Sequence, residues 1–217
     1  MAGSNQGMAL KRNTVTQARG RERREKMLRA ATELLSEKEL SEISFNDVAA
    51  LAGIPKGSAY HFYANVMELY AELTEQLGAE LFECLSPEIP KRQVSCWEDV
   101  IKVLCKRVEQ YYAQRPGARK LLVGGETPPQ FKRSDRDNDR RLGALIKSHL
   151  AAHFQLPVIP NDLDVFFYAV EIVDLFYCLS MIRHNRITEA MGEEAILAGI
   201  AYLRSYLPAI LPSTEWS

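Results

Sequence analysis

From Arg19 to about Lys38, apolar side chains recur at Met27, Ala30, Ala31, Leu34 and Leu35 with charged residues between them, the spacing of one buried helical face. The pattern predicts an amphipathic helix with a strongly basic first half. A new start follows at Ser44, where Asp47 three residues on forms a capping box, so a short helix is expected over Phe45–Ala52. Gly53 supplies its stop, because glycine enters the left-handed region without a Cβ penalty. Pro55 suits the first turn of a third helix, expected to run to Phe62 or Tyr63. Asn65 with Glu68 marks a fourth start, and Met67, Leu69, Tyr70, Leu73, Leu77, Leu81, Phe82 and Leu85 carry that helix to the stop at Pro87.

Further helices are expected over about Trp97–Arg115, Ala118–Val123, Asp135–His153, Asp162–His184 and Glu189–Leu207, interrupted by "GGETPPQ" and "QLPVIPND". No alternating run is long enough for a strand, and no internal repeat shows itself. The predicted class is all-α with about nine helices: a flexible tail over 1–16, a small three-helix unit over 17–65 and a helical body over 66–217.

Charge changes this picture more than composition does. The chain of 217 residues is 47% hydrophobic and 25% charged, ordinary for a globular protein, with a net charge of -1. Residues 1–30 nevertheless hold eight basic and two acidic side chains, a net of +6, and the segment to Tyr63 stands at +3, leaving -4 for the remainder. A basic beginning on an acidic body points to a polyanion at one end. The four cysteines (Cys84, Cys96, Cys105, Cys178) contain no C-x-x-C pair, so they read as reduced thiols in a cytoplasmic protein, with no metal or cofactor site. No uninterrupted apolar run reaches about 18 residues, so no membrane partner is expected.

The second helix, the turn at Gly53 and the third helix have the dimensions of a helix-turn-helix. Val48, Ala49, Ala52, Ile54, Ala59 and Phe62 supply a miniature core. Lys56 suits a phosphate or guanine acceptors; Gly57 and Ser58 keep the tip small; Tyr60 and Tyr63 offer hydroxyls to phosphate oxygens; His61 can serve a base or a phosphate. The start of the fourth helix, capped by Asn65, would offer free amides to another phosphate. Ser44, at the start of the second helix, and Arg23, with Arg19, Arg21 and Arg24 on the basic segment, complete the candidate DNA-contacting set.

The segment from Met27 to Tyr70, with "AA..LL", "DVAALAGI", "KGSAYHFY" and "ELY" in order, resembles the DNA-binding domain of the TetR family of transcriptional repressors. The resemblance implies an all-helical homodimer, an operator-binding head, and a helical body that dimerises and binds a small effector; Lys56, Gly57, Ser58, Tyr60 and His61 would fall on the recognition helix. Two positions depart from the family pattern. Glu39 stands where a glycine often follows the first helix, and Val66 stands where a lysine usually begins the fourth.

In the body, the segment from Leu163 to Asn185 is apolar on most of its circumference. With the last helix it is expected to build half of a four-helix homodimer interface through Phe166, Val170, Val173, Tyr177, Ile200, Leu203 and Leu207, or else to form a monomer's core. Glu171 and Asp174 share a face, where they would meet a cationic or hydrogen-bonding group of an effector or pair with Arg183, Arg186 or Arg204. Trp97, Leu104, Tyr111, Leu122 and Phe131 are candidates for lining a pocket for a small apolar or amphipathic organic effector, bordered by the loop "VGGETPPQF". No G-x-S-x-G elbow, P-loop or H-E-x-x-H appears, and no histidine has a glutamate three residues before it, so an enzyme is not expected. The expected function is a DNA-binding regulator, a repressor released from a palindromic operator by an effector. The alternatives are a helical ligand-binding or adaptor protein whose head no longer reads DNA and, behind it, an enzyme of a kind these motifs do not reveal.

Overall fold

The computed structural model describes the backbone of residues 4–126, 132–160 and 162–214, and the side chains of 17–126, 136–160 and 164–214. It forms two compact units, Met1–Leu73 and Thr74–Ser217. The division falls inside the fourth helix, a little beyond the 65/66 boundary read from the sequence. Among the described residues there are nine α-helices, and the only extended pairing is an isolated antiparallel bridge, Phe154 with Ser213.

In the first unit, α1 spans Ser4–Glu37, starting where the sequence pattern places a flexible tail. Met27, Leu28, Ala30, Ala31 and Leu35 are buried, the face that the helical spacing predicts. The turn after α1 is made without glycine: Glu39 lies in extended backbone, and its N–H donates to the Glu42 carboxylate at 3.0 Å at the start of a 3-10 turn, Leu40–Glu42. α2 (Phe45–Leu51) opens with the expected capping box. The Asp47 N–H donates to Ser44 Oγ at 3.2 Å, and the Ser44 N–H donates back to Asp47 Oδ2 at 2.9 Å. That bonding holds the Asp47 carboxyl below its ordinary range, the hydroxyl of Ser44 being the largest cause.

Gly53 has φ +66°, and a Cβ built there would meet nothing within 4 Å, so a side chain at this position costs backbone strain alone. α3 is shorter than the sequence predicts: Lys56–Ala59 with Pro55 as N-cap, continued by single turns through Phe62. α4 (Val66–Leu85) is capped by Asn65.

The second unit holds α5 (Trp97–Gln114), α6 (Pro116–Val123), α7 (Lys132–His153), α8 (Asp162–His184) and α9 (Glu189–Leu203). α8 packs chiefly on α7 and α9. By length and composition it could cross a membrane, with mean hydropathy 1.9 over Asp164–His184, but Phe166, Phe167 and Tyr177 are buried inside the body, as in a core helix. Gly143 of α7 allows the close crossing, since a Cβ there would come within 2.7 Å of the Phe167 backbone nitrogen. At the end of α4, Arg107 donates to the carbonyls of Leu85, Pro87 and Glu88, and the buried His149 donates from Nε2 to the Leu85 carbonyl at 2.9 Å.

Two measurements check these constraints. Gly53→Ala should lower the stability of the first unit by about 1 kcal/mol, and Gly53→Asn by less, in urea unfolding followed by helix signal. Burial holds His149 below its ordinary 6.5, so the folded body favours the neutral ring. Protons therefore bind the unfolded chain more readily just below pH 6.5. Stability should be flat above that pH and fall as pH drops toward the folded value, and His149→Gln should remove the fall.

Candidate DNA-binding surface and body cavities

The head surface is built on a small buried base. Val48, Ala49, Ile54 and Ala59 are buried together, as the expected miniature core requires, with Phe62 half-buried beside them. On that base Lys56, Gly57, Tyr60 and His61 are exposed and Ser58 is half-buried. Tyr60 stays 46% exposed while its ring packs at 4.9 Å on Phe45, which holds the ring at the head surface. A Cβ on Gly57 would meet nothing, so the space above the start of α3 is open.

Tyr63 differs from expectation. It is only 3% exposed, its hydroxyl is buried, and burial pushes its phenol up. Its ring instead receives the Arg24 guanidinium at 5.2 Å, and Arg24 pairs with Glu72 at 2.7 Å. Tyr63 and Arg24 thus belong to the packing of the head, whereas Arg23, Arg21 and Arg19 stay on the exposed side of α1. Ser44 is spent on its capping box, its hydroxyl donating to Asp47 at 2.6 Å. The start of α4 is also different. Asn65 Oδ1 already accepts the Met67 and Glu68 amides, and the Glu68 carboxylate accepts from the Ala64 N–H at 2.7 Å. A carboxylate at that helix start takes the place an anion would occupy.

In the body, two cavities have different chemistry. The first, about 60 Å³, is a hydrocarbon chamber between α4, α5, α7, α8 and α9, with Leu104, Cys105, Leu145, Val173, Tyr177 and Leu203 in its wall. The second, about 200 Å³, is a mixed cleft lined by Leu122, Gly124, Gly125, Arg136, Asp139 and Glu171, among others. Asp174 lines both. Of the expected pocket residues, Leu104 falls on the chamber, Leu122 and Glu171 on the cleft, and Asp174 on the two together. Trp97 and Tyr111 do not line either. The Trp97 indole donates to the Pro208 carbonyl at 3.0 Å, and the Tyr111 hydroxyl to the Leu77 carbonyl at 3.1 Å, so both are core residues with their polar atoms satisfied. Phe131 lies outside the described residues. Glu171 approaches Arg136 at 3.5 Å, and Arg204 pairs with Glu98, rather than the partners expected from the sequence.

The expected dimer residues are corrected more thoroughly. Phe166, Val170, Tyr177, Ile200, Leu203 and Leu207 are buried within one chain and Val173 is half-buried in the chamber wall, so these residues form the body's own core. The apolar residues that α8 and α9 expose are others: Tyr168 (49%), Leu175 (56%) and Ile182 (62%) on α8, and Leu197 (58%) on α9. Tyr168, Leu175 and Ile182 are seven apart, two helical turns, and form one stripe. That spacing is readable in the sequence, but on a helix apolar all round it does not stand out from the buried faces.

No family model and no curated protein sequence matches the chain. Solved structures do. A TetR-family transcriptional regulator from Streptomyces coelicolor superimposes with a TM-score of 0.63 at 23% identity, covering 85% of this chain and 99% of that one. A TetR transcriptional regulator from Rhodococcus sp. RHA1 gives 0.58 at 18% identity, covering 84% and 96%. The dihydroxyacetone kinase operon activator DhaS gives 0.58 at 15%, covering 85% and 98%. The chain has the fold of the TetR-family transcriptional regulators.

Proposed function

We propose that the chain is a sequence-specific DNA-binding transcriptional regulator, working in the cytoplasm as a homodimer. The observation that carries this reading is the head surface: Lys56 and Gly57 on the four-residue α3 and Tyr60 and His61 in the turns that follow it are exposed above a buried base, and the packing of the head needs none of their side-chain polar atoms. Two copies of α3 would occupy successive major grooves of a near-palindromic operator, roughly 34–36 Å apart. Pairing through the stripe Tyr168, Leu175 and Ile182 with Leu197 supports the dimer, because exposed apolar patches of this kind mark association surfaces. An organic effector in the body cavities would favour a state of lower operator affinity, so control is negative. One structural neighbour is named as an operon activator, and the sign of control is therefore part of the test.

A second reading, a ligand-binding protein whose head no longer reads DNA, is favoured by Val66 at the first position of α4 and by the Glu68 carboxylate at that helix start. Footprinting on DNA flanking the protein's own gene separates the two. Protection of an inverted repeat at low salt supports the regulator, and none supports the second reading.

Lys56→Ala and Tyr60→Phe should each weaken operator binding about tenfold in gel-shift titration, while Tyr63→Phe leaves it unchanged. Gly57→Ala is the sharper test: it should leave the head as stable as before or more so, since nothing crowds the new methyl, yet weaken operator binding. Ile182→Glu should convert the dimer to a folded monomer in light scattering coupled to size exclusion; an unchanged dimer would show that another surface pairs.

A further inference from the structure

Tyr177 is fully buried, and among the described protein groups its hydroxyl faces the Cys105 thiol, a weak acceptor that leaves it short of a well-formed hydrogen bond. A buried polar group of that kind calls for an explanation. Core packing offers none, because phenylalanine would fill the same volume without a hydroxyl to satisfy. The residue does not sit in solid core, however: it is part of the wall of the hydrocarbon chamber, beside Leu104 and Cys105 of α5, Leu145 of α7, Val173 of α8 and Leu203 of α9. Burial pushes the Tyr177 phenol up and the Cys105 thiol up to about 12, so both stay neutral and the phenol keeps its proton to donate. The chamber is thus mostly hydrocarbon with one donor held only by a weak thiol acceptor, and it meets the mixed cleft at Asp174.

We propose that the chamber receives the uncharged end of a small organic molecule, and that the Tyr177 hydroxyl donates a hydrogen bond to a ketone, ester or ether oxygen on it. The proposal rests on the reading of the body as an effector-binding module. Size sets the enclosed part. At about 60 Å³ the chamber exceeds the roughly 10–15 Å³ that a water needs and falls short of the about 150 Å³ that encloses benzene, which suits a group of about three to five heavy atoms. Any larger part of the molecule extends past Asp174 into the cleft, where Arg136, Asp139 and Glu171 give it polar surroundings.

The test uses the full chain and two probes of one shape, 2-butanone, which has the acceptor oxygen, and 2-methylbutane, which lacks it. Titrations followed by the methyl NMR signals of Leu104, Leu145, Val173 and Leu203 should show both probes entering the wild-type chamber. Tyr177→Phe should weaken 2-butanone about tenfold, the worth of one hydrogen bond, and leave 2-methylbutane unchanged or tighter. The variant should also melt no lower than wild type, since it removes an unsatisfied group. Absence of shifts with either probe, an unchanged 2-butanone affinity in Tyr177→Phe, or a lowered melting temperature would each overturn the proposal. Leu145→Phe fills the chamber from α7 and should abolish the shifts; their persistence would place the probes elsewhere and overturn it equally. Footprinting of the same samples keeps the two readings apart. Operator protection without probe entry removes this inference alone, and probe entry without operator protection removes the DNA-binding reading and leaves the chamber standing.

Discussion

A helix that is apolar on every side must be covered on every side, and α8 imposes that requirement on the whole body. Phe166, Phe167, Val170 and Tyr177 are buried inside the body, where α8 packs chiefly on α7 and α9. The approach of α7 is close enough that Gly143 has no room for a Cβ against the Phe167 backbone. The walls do not close completely, so the chamber remains beside Tyr177 and the cleft beside Glu171. Nor do they cover the stripe of Tyr168, Leu175 and Ile182, which is why the free chain presents large apolar side chains to water. Core, cavity and exposed apolar stripe are three consequences of one sequence property.

The head solves the opposite problem, because its elements are too short to stand alone. A helix of seven residues and one of four lie far below the length at which an isolated helix persists in water, so their stability comes from packing and caps. Ser44 and Asp47 start α2, Gly53 ends it in the left-handed region, and Val48, Ala49, Ile54 and Ala59 hold the two helices together. The aromatic residues after α3 divide the remaining work. Tyr63 turns inward under Arg24, and Tyr60 leans on Phe45 and stays exposed.

Much of this is legible in the amino-acid sequence, and the part that is not has a physical reason. Helical period, the Ser44–Asp47 and Asn65–Glu68 starts and the Gly53 stop are local signals, and the helices appear where they point, although α3 and α9, the latter at Leu203 rather than Leu207, end sooner than their patterns suggest. Which way a side chain faces is decided by packing across the chain. Tyr60 and Tyr63 are three apart and chemically identical, yet only one is exposed. The amides at the start of α4 look available from sequence, but Asn65 takes those of Met67 and Glu68. On α8 the apolar period gives no contrast between a buried face and a surface stripe, so residues read as a dimer seam turn out to be core. Trp97 and Tyr111 read as pocket residues because they are large and aromatic; their polar atoms are tied to the carbonyls of Pro208 and Leu77, and they pack instead.

The same criterion then selects the proposed contact groups in both units: a group the packing does not use. In the head these are the ammonium of Lys56, the imidazole of His61 and the open space over Gly57, none of which the miniature core requires. In the body it is the hydroxyl of Tyr177, carried into a hydrocarbon wall at a cost that phenylalanine would avoid. Arg24 and Ser44 fail the criterion despite their chemistry, since an ion pair and a capping box already account for them. Charge and hydroxyl groups are common on any protein surface. What distinguishes a site is that its polar atoms are held in place by neighbours whose own hydrogen bonds and contacts are complete without them.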